Sequence, residues 1–137
     1  MKFDEFHARN AKVEEPDPVT HKIIAAAIEV HREMGPGMTE VMYEGAPCRE
    51  FDLRGIRHQR QVPIDVYYKG LVLGQARLDL LVDDEVIVEL KACDALGPIH
   101  RSQCITYLRA TGHRVALLIN FNVPVLKDGI KRVILSR

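Results

Sequence analysis

A carboxylate and a lysine lie two residues apart within a short apolar run. Residues 86–92 read Val-Ile-Val-Glu-Leu-Lys-Ala, and Glu89 and Lys91 are their ionisable members. Residues two apart in a strand point to the same side, so these two side chains share one face. Ionisable groups are rarely buried unless they are paired or bind a metal. The pattern has the side chains that metal-dependent phosphodiester hydrolysis needs.

The preceding apolar run, residues 71–82, contains one acid, Asp79. Residues 83–85 are polar and too few for anything but a hairpin connection. A three-residue connection places Asp79 opposite Glu89, whereas a two-residue connection places it opposite Val88. We expect the first register because it gathers the ionisable side chains of both runs on one face. These are Arg77, Asp79, Glu89 and Lys91.

The whole chain has the size and composition of one globular domain. Its 137 residues are enough for a substantial core, and 47% of them are hydrophobic. We expect residues 1–17 to form an N-terminal arm and residues 18–137 to form a single domain. No apolar run is long enough to span a membrane, and no signal peptide is evident. Three cysteines without a CxxC spacing indicate reduced thiols in a cytoplasmic protein.

Charge is balanced overall but unevenly distributed. The formal net charge is zero, while residues 98–137 hold one acid, Asp128, and seven Lys or Arg. The remaining residues are therefore acidic on balance. This asymmetry fits a C-terminal part that holds a polyanion and an N-terminal part whose acids hold metal. A mixed, solvated surface explains the same counts.

The pattern of caps, turns and periodicity predicts an α/β protein. The first helix follows Asp17-Pro18 and runs to Met34, with Ile24, Ala27, Ile28 and His31 on one face. The second runs from Glu40 towards Leu53, with a kink or break at Pro47. Strands follow around 60–68, 71–82 and 86–91. A third helix from Pro98 to about Thr111 precedes a strand at 115–121 and a short last strand near 131–135.

Further polar residues recur at helical spacing outside the two central strands. Glu40 and Tyr43 follow Gly37 as Gly-x-x-Glu-x-x-Tyr, at the start of the second helix. Gln103 and Tyr107 are four apart on the third helix and so share a face. His100 precedes them on that face, and Arg101 lies beside it.

Together these motifs resemble the PD-(D/E)xK nuclease superfamily and, more narrowly, the small bacterial proteins of the GxxExxY family. The resemblance spans residues 19–134. It implies a restriction-endonuclease-like core, in which a mixed β-sheet is flanked by helices in the order αβββαβ. Leu78 stands where the superfamily motif has proline, and proline would disrupt a central strand.

The chemistry of such a site assigns a role to each candidate. Asp79 and Glu89 are expected to hold Mg²⁺ or Mn²⁺, with the Leu90 carbonyl as an additional ligand. Glu40 is expected to bind metal through water or at a second metal site. Lys91 is expected to orient the attacking water and stabilise the transition state. The remaining candidates are Gln103 and Tyr107 for phosphate or water, and His100 and Arg101 for the nucleic-acid backbone.

The resulting expectation is a metal-dependent nuclease that acts on DNA, with RNA as the second choice. It has nucleic acid as its partner and works as a homo-oligomer or within a larger assembly. Two alternatives stay open. One is a non-catalytic nucleic-acid- or protein-binding module that retains the fold. The other is a buried ion-pair network in which Asp79 and Glu89 pair with Arg77 and Lys91 and bind no metal.

Overall fold

A computed structural model describes residues 17–135 and contains three α-helices and five strands within that range. The helices are α1 (Pro18–Met34), α2 (Glu40–Arg54) and α3 (Pro98–Thr111). The strands are β1 (His58–Tyr68), β2 (Leu71–Val82), β3 (Val86–Lys91), β4 (Val115–Asn120) and β5 (Ile130–Ile134), and a 3₁₀ turn at Leu126–Gly129 precedes the last. The predicted order of elements is confirmed. The predicted N-terminal arm lies outside the described residues, apart from Asp17.

All five strands form one mixed sheet in the order β1-β2-β3-β4-β5. β3 and β4 are parallel and are joined by α3, while the other neighbouring strands are antiparallel. Helices α1 and α2 pack on one face of the sheet through one hydrophobic core. Helix α3 packs on the opposite face through a second core that includes Cys104 and Leu108. The sheet is therefore covered on both sides, as the apolar β3 and β4 sequences predict.

Helix α1 begins as the sequence predicts, but its buried face overlaps the predicted face only in part. The Asp17 side chain accepts a hydrogen bond from the Val19 N–H, and Pro18 occupies the first helical turn. Of the predicted face, Ala27 is buried and Ile24 packs against the core, but Ile28 is exposed. The buried side chains are Val19, Thr20, Ile23, Ala26, Ala27 and Val30. The predicted face and the observed buried face both have helical spacing, so the spacing alone does not determine which face packs against the sheet.

Helix α2 is continuous through Pro47, so the predicted break is wrong. Proline removes one backbone hydrogen bond and crowds the preceding turn. Here Tyr43, Cys48 and Phe51 on either side of Pro47 are buried against the sheet. Burial of these side chains offsets the lost bond, which is how tertiary packing commonly overrides a local helix propensity. Glu40 is thereby carried on the same helix as the buried residues that anchor it.

None of the helices within residues 17–135 has the length and apolar content needed to span a membrane.

The packing of α3 gives a direct test of the core. Leu108 is 0% exposed in the α3 core, and Leu108→Ala should lower the free energy of unfolding by about 2–5 kcal/mol through the cavity it leaves. The same substitution at Leu53, which is 63% exposed on α2, serves as the matched control. Denaturant unfolding of both variants measures the difference. Equal stabilities for the two variants would contradict the placement of α3.

Candidate active site

Strands β2 and β3 separate at the point where their two carboxylates meet. Their backbone ladder pairs Val82 with Val86 and ends at Leu80 and Val88. The predicted three-residue connection is therefore confirmed, and its register continues to Asp79 opposite Glu89. Beyond the ladder, the backbone N–H groups donate to side-chain carboxylates instead of to backbone carbonyl oxygens. The Asp79 N–H donates to Glu89 Oε2 at 3.0 Å, and the Leu90 N–H donates to Asp79 Oδ2 at 2.8 Å.

An irregularity in the β1–β2 pair accompanies this separation. Gln61, which the register places opposite Asp79, has a positive φ of 55° and is skipped in the ladder. Leu78 and Leu81 both contact the α3 core although they are three residues apart. Regular alternation would send them to opposite faces. Asp79 therefore lies in a local distortion, of the kind that re-aims side chains next to functional sites.

The distortion also removes Arg77 from the cluster. Arg77 is exposed and donates to the Gln61 carbonyl oxygen at 3.2 Å, so the expectation that it shares the face of Asp79 is wrong. Within residues 17–135, neither Asp79 nor Glu89 forms an ion pair within 4 Å. The buried ion-pair network is thus not formed. Backbone N–H groups are the hydrogen-bond partners of both carboxylates.

Both carboxylates resist ionisation. Glu89 is 3% exposed, and its burial, followed by the negative charge of Asp79, raises its pKa to about 8. Burial also raises the pKa of Asp79, and the Leu90 N–H opposes that rise. The positive charge of Lys91 lowers the pKa of both groups. The buried Glu89 and the half-buried Asp79 both have raised pKa values and only one ammonium group nearby, and a bound cation would supply further positive charge.

Lys91 ends β3 and is held by the strand beside it. It pairs with Asn120 in the parallel β3–β4 ladder, and its carbonyl oxygen accepts from the Phe121 N–H at 3.0 Å. Asn120 also fixes the chain just after Lys91, because its side chain accepts from the Cys93 N–H and donates to the Cys93 carbonyl. Asn120 is buried. It is a positioning residue that sequence reasoning treated only as part of an apolar strand.

Helix α2 brings two further acids towards Asp79. Glu40 is the first residue of the helix and is exposed, and Glu44 follows one turn later. The charges of Glu44 and Glu40 both raise the pKa of Asp79. Glu44 was missed by sequence reasoning, although its four-residue spacing from Glu40 places both on one helix face. Arg60 and Gln61 on β1 hold the Glu44 carboxylate at 2.5 Å and 2.8 Å.

The glycine and tyrosine that flank Glu40 have structural roles. The buried Tyr43 hydroxyl donates to the Gly35 carbonyl and accepts from the Met38 N–H at 3.1 Å. The Tyr43 ring also stacks on Phe121, with centroids 4.6 Å apart. Gly37 has a φ of 103°, which favours glycine. These residues fix the α1–α2 connection and thereby the start of the helix that carries Glu40. Tyr43 is therefore a core residue with a hydrogen-bonded hydroxyl.

Helix α3 approaches the carboxylates from the other face of the sheet. Tyr107 is 8% exposed. Burial, followed by the negative charge of Glu89, raises the pKa of its hydroxyl, and a hydrogen bond with Gln103 opposes that rise. Gln103 and Tyr107 are therefore paired with each other on the side of α3 that is near Glu89. The ring of Tyr107 belongs to the core, so only its hydroxyl end is available to the site.

The two residues predicted to contact nucleic acid differ in their surroundings. His100 Nδ1 accepts a hydrogen bond from the Gly97 N–H at 2.9 Å, so this ring caps the start of α3. Arg101, the next residue, is exposed. Its positive charge opposes the rise in the pKa of the buried Cys104 that burial causes. The structure thus gives His100 a capping role that its sequence spacing did not reveal.

The donor atoms fit a hard divalent cation that keeps much of its water. Within the described part of the chain, no group of three or more His, Cys, Asp or Glu side chains is arranged to hold a metal ion. Glu40 therefore does not complete a shared coordination sphere with Asp79 and Glu89. Two carboxylates and the Leu90 carbonyl oxygen are a small donor set. Mg²⁺ commonly binds through one or two carboxylates and retains several waters, so this set suits it.

The chain matches a family model described as the PD-(D/E)XK nuclease superfamily over residues 17–133. It belongs to that superfamily. No curated protein matches the sequence. Among solved structures, an alkaline exonuclease from Laribacter hongkongensis is similar, with a TM-score of 0.51 and 16% sequence identity over 94% of this chain and 76% of the exonuclease chain. That likeness confirms the predicted restriction-endonuclease-like fold. The narrower resemblance to the GxxExxY family is not confirmed.

The raised pKa of Glu89 predicts an unusual pH dependence of stability without metal. In EDTA, folded Glu89 holds its proton up to about pH 8, whereas in the unfolded chain it ionises near its ordinary pKa of 4.5. The folded state binds more protons in this window, so the free energy of unfolding should fall as pH rises through it. Glu89→Gln should flatten this dependence and, near pH 8, exceed wild type by on the order of a few kcal/mol.

Denaturant unfolding at a series of pH values measures the effect, and Glu85→Gln at an exposed hairpin position is the matched control. Parallel pH profiles for wild type and Glu89→Gln would show that Glu89 does not titrate as a buried acid.

Proposed function

We propose that this protein is a metal-dependent nuclease that hydrolyses phosphodiester bonds, with DNA as the preferred substrate and RNA as the second choice. The observation that carries the proposal is the reciprocal arrangement of Asp79 and Glu89. Each is fixed by a backbone N–H of the opposite strand, and near Lys91 Glu89 is buried while Asp79 is half-buried. Membership of a nuclease superfamily supports the same conclusion.

Asp79, Glu89 and the Leu90 carbonyl oxygen would hold Mg²⁺ or Mn²⁺. Each carboxylate uses one oxygen for a backbone hydrogen bond, and the proposal requires only the other oxygen. When bound, such a cation lowers the pKa of a coordinated water and offsets negative charge on the phosphate. Glu40 and Glu44 on α2 would act through water, because their charges reach Asp79 without completing its coordination.

Lys91 serves the chemical step. Its ammonium group would orient the attacking water and stabilise the charge that develops on the phosphate oxygens. The water oxygen forms a bond to phosphorus while the bond from phosphorus to the leaving oxygen breaks. The water loses a proton and the leaving oxygen gains one, so a phosphomonoester end and a hydroxyl end result. Asn120 supports this step by fixing the chain on the C-terminal side of Lys91.

Residues of α3 would position the substrate. The Gln103 amide and the Tyr107 hydroxyl already bond to each other near Glu89, and their polar ends would hold phosphate or water. Arg101, two residues before Gln103, is exposed and would contact the nucleic-acid backbone. His100 would contribute through its Nε2, since its Nδ1 caps the helix.

The proposed cytoplasmic location rests on the cysteines of the chain. Cys48, Cys93 and Cys104 are all free thiols, which is typical of the cytoplasm. A homo-oligomer or a larger assembly would extend the small surface available for nucleic acid.

Metal binding gives the first test. Mn²⁺ titration by calorimetry should show binding to wild type and a large loss of affinity in Asp79→Asn, because the substitution removes a charged ligand. Asp65→Asn is the matched control, since Asp65 bonds to the Gln75 side chain in the outer part of the β1–β2 hairpin. Equal Mn²⁺ affinities for wild type and Asp79→Asn would contradict the assigned metal site.

Cleavage gives the second test. With Mn²⁺ and single-stranded, duplex or branched substrates, Lys91→Ala should reduce turnover by at least about a hundredfold, the usual scale for loss of one such group. Its unfolding should stay close to that of wild type, since Lys91 is only partly buried. Lys22→Ala, an exposed lysine on α1, should cleave like wild type. Folded wild type that binds nucleic acid but cleaves none of these substrates would instead support a non-catalytic binding module.

A further inference from the structure

A basic cavity lies on the α3 face of the sheet, between the start of α3 and strands β4 and β5. Its volume is about 250 Å³. Three basic residues contribute to its lining: Arg101, Lys131 and Arg132. Arg132 pairs with Leu117, so its side chain points to the opposite face of the sheet, and the cationic side chains on the cavity side are Arg101 and Lys131. The rest of the lining comes from Leu96, Gly97, Pro98 and Leu118. No acidic side chain belongs to this lining, in contrast to the acidic cluster at the ends of β2 and β3.

The strand register fixes the position of this cavity relative to the carboxylates. Glu89 pairs with Leu118 across β3 and β4, and Leu118 pairs with Lys131 across β4 and β5. Paired residues in adjacent strands point to the same face. Glu89, Leu118 and Lys131 therefore form one row across the sheet. Neighbouring strands are about 4.8 Å apart, so the backbone of Lys131 lies about 10 Å from that of Glu89.

The electrostatics of the cavity favour an anion. Lys131 is exposed, so its ammonium group is reachable from solvent. Gly97 is the residue before the first turn of α3, and the positive end of that helix therefore faces the same cavity. The apolar wall formed by Leu96, Pro98 and Leu118 gives no partner to a second charged group, but it can contact the carbon atoms of a sugar.

We propose that this cavity binds a phosphate group of the nucleic-acid strand whose scissile phosphodiester lies at Asp79 and Glu89. The proposal rests on the proposed nuclease function and adds a second anchoring point for the substrate. One strand of stacked nucleic acid advances about 3.4 Å per nucleotide, so about 10 Å corresponds to about three nucleotides. The cavity exceeds a phosphate in size and has room for the adjoining sugar or for water.

The anchored phosphate has two sources with the same chemistry. It is either an internal phosphodiester or the terminal monoester at the end of a strand. Basic groups and a helix N-terminus recognise both. A site about three nucleotides from the scissile bond fixes the strand in register in either case.

The salt dependence of binding tests this inference directly. Fluorescence anisotropy measures the affinity of a labelled single-stranded oligonucleotide as a function of KCl. EDTA keeps the strand intact and leaves K⁺ as the cation that competes for phosphate. Loss of one phosphate contact should reduce the slope of log Kobs against log[KCl] by about 0.7 for a single strand. Lys131→Ala should show this reduction and bind about two- to fivefold more weakly.

Matched variants separate a cavity contact from general charge. Lys127→Ala removes an exposed lysine from the 3₁₀ turn just before β5, outside the cavity lining, and should leave the slope unchanged. Lys131→Arg should retain the wild-type slope, because the positive charge remains. Thermal unfolding of each variant confirms that it is folded.

The arms of the experiment distinguish the two phosphate sources. A loss confined to 5′-phosphorylated oligonucleotide supports terminal recognition, while an equal loss with a 5′-hydroxyl oligonucleotide supports an internal phosphodiester. Equal slopes for wild type, Lys131→Ala and Lys127→Ala overturn the inference, as does the absence of any binding at the lowest salt. Cleavage with Mn²⁺ is measured separately. If wild type cleaves nucleic acid but Lys131→Ala binds it as wild type does, the cavity proposal is refuted and the proposed function is not.

Discussion

The structure depends on a pair of hydrogen bonds in which carboxylates stand in for backbone acceptors. Once β2 and β3 separate beyond Leu80 and Val88, the N–H groups of Asp79 and Leu90 have no ladder partners. Buried N–H groups without acceptors are costly, so acceptors must come from side chains. Glu89 and Asp79 supply them reciprocally. The same two contacts hold both carboxylates at the point where the strands separate.

This arrangement brings negative charge into a region that gives it little compensation. Burial raises the pKa of Glu89 to about 8, and Lys91 only partly opposes the effect. The rest of the fold increases the same imbalance, because α2 directs the charges of Glu40 and Glu44 towards Asp79. Arg60 and Gln61 restrain Glu44 from the β1 side. A metal-free site of this kind is destabilising above the unfolded pKa of its acids. Under the proposed function, binding of a divalent cation would favour folding as well as catalysis.

Much of the fold and part of the site could be predicted because local chemistry specifies them. The turn chemistry of residues 83–85 and the alternation of β2 and β3 determine the register that sets Asp79 opposite Glu89. Capping by Asp17 and the glycines after the helices determine the helix bounds. Features that depend on tertiary contacts were not predictable. Gln61 adopts a positive φ without a sequence signal, and with it Arg77 leaves the face of Asp79. Pro47 remains helical only because its neighbours are buried, and Glu44 gains its role from Arg60 on another element.

The strand register also explains why acidic and basic groups occupy different parts of one surface. On the α3 face, the row that begins at Glu89 continues through Leu118 to Lys131 on the edge strand β5. Leu118, the middle residue of this row, is buried and apolar. Acids at the centre suit a cation and the attacking water, whereas lysine and arginine at the edge suit phosphates away from the scissile bond. A polyanion can approach the two carboxylates only if cations nearby offset the repulsion. The sheet meets this requirement because residues of opposite charge lie at a fixed spacing of two strands, and that spacing follows from backbone pairing alone.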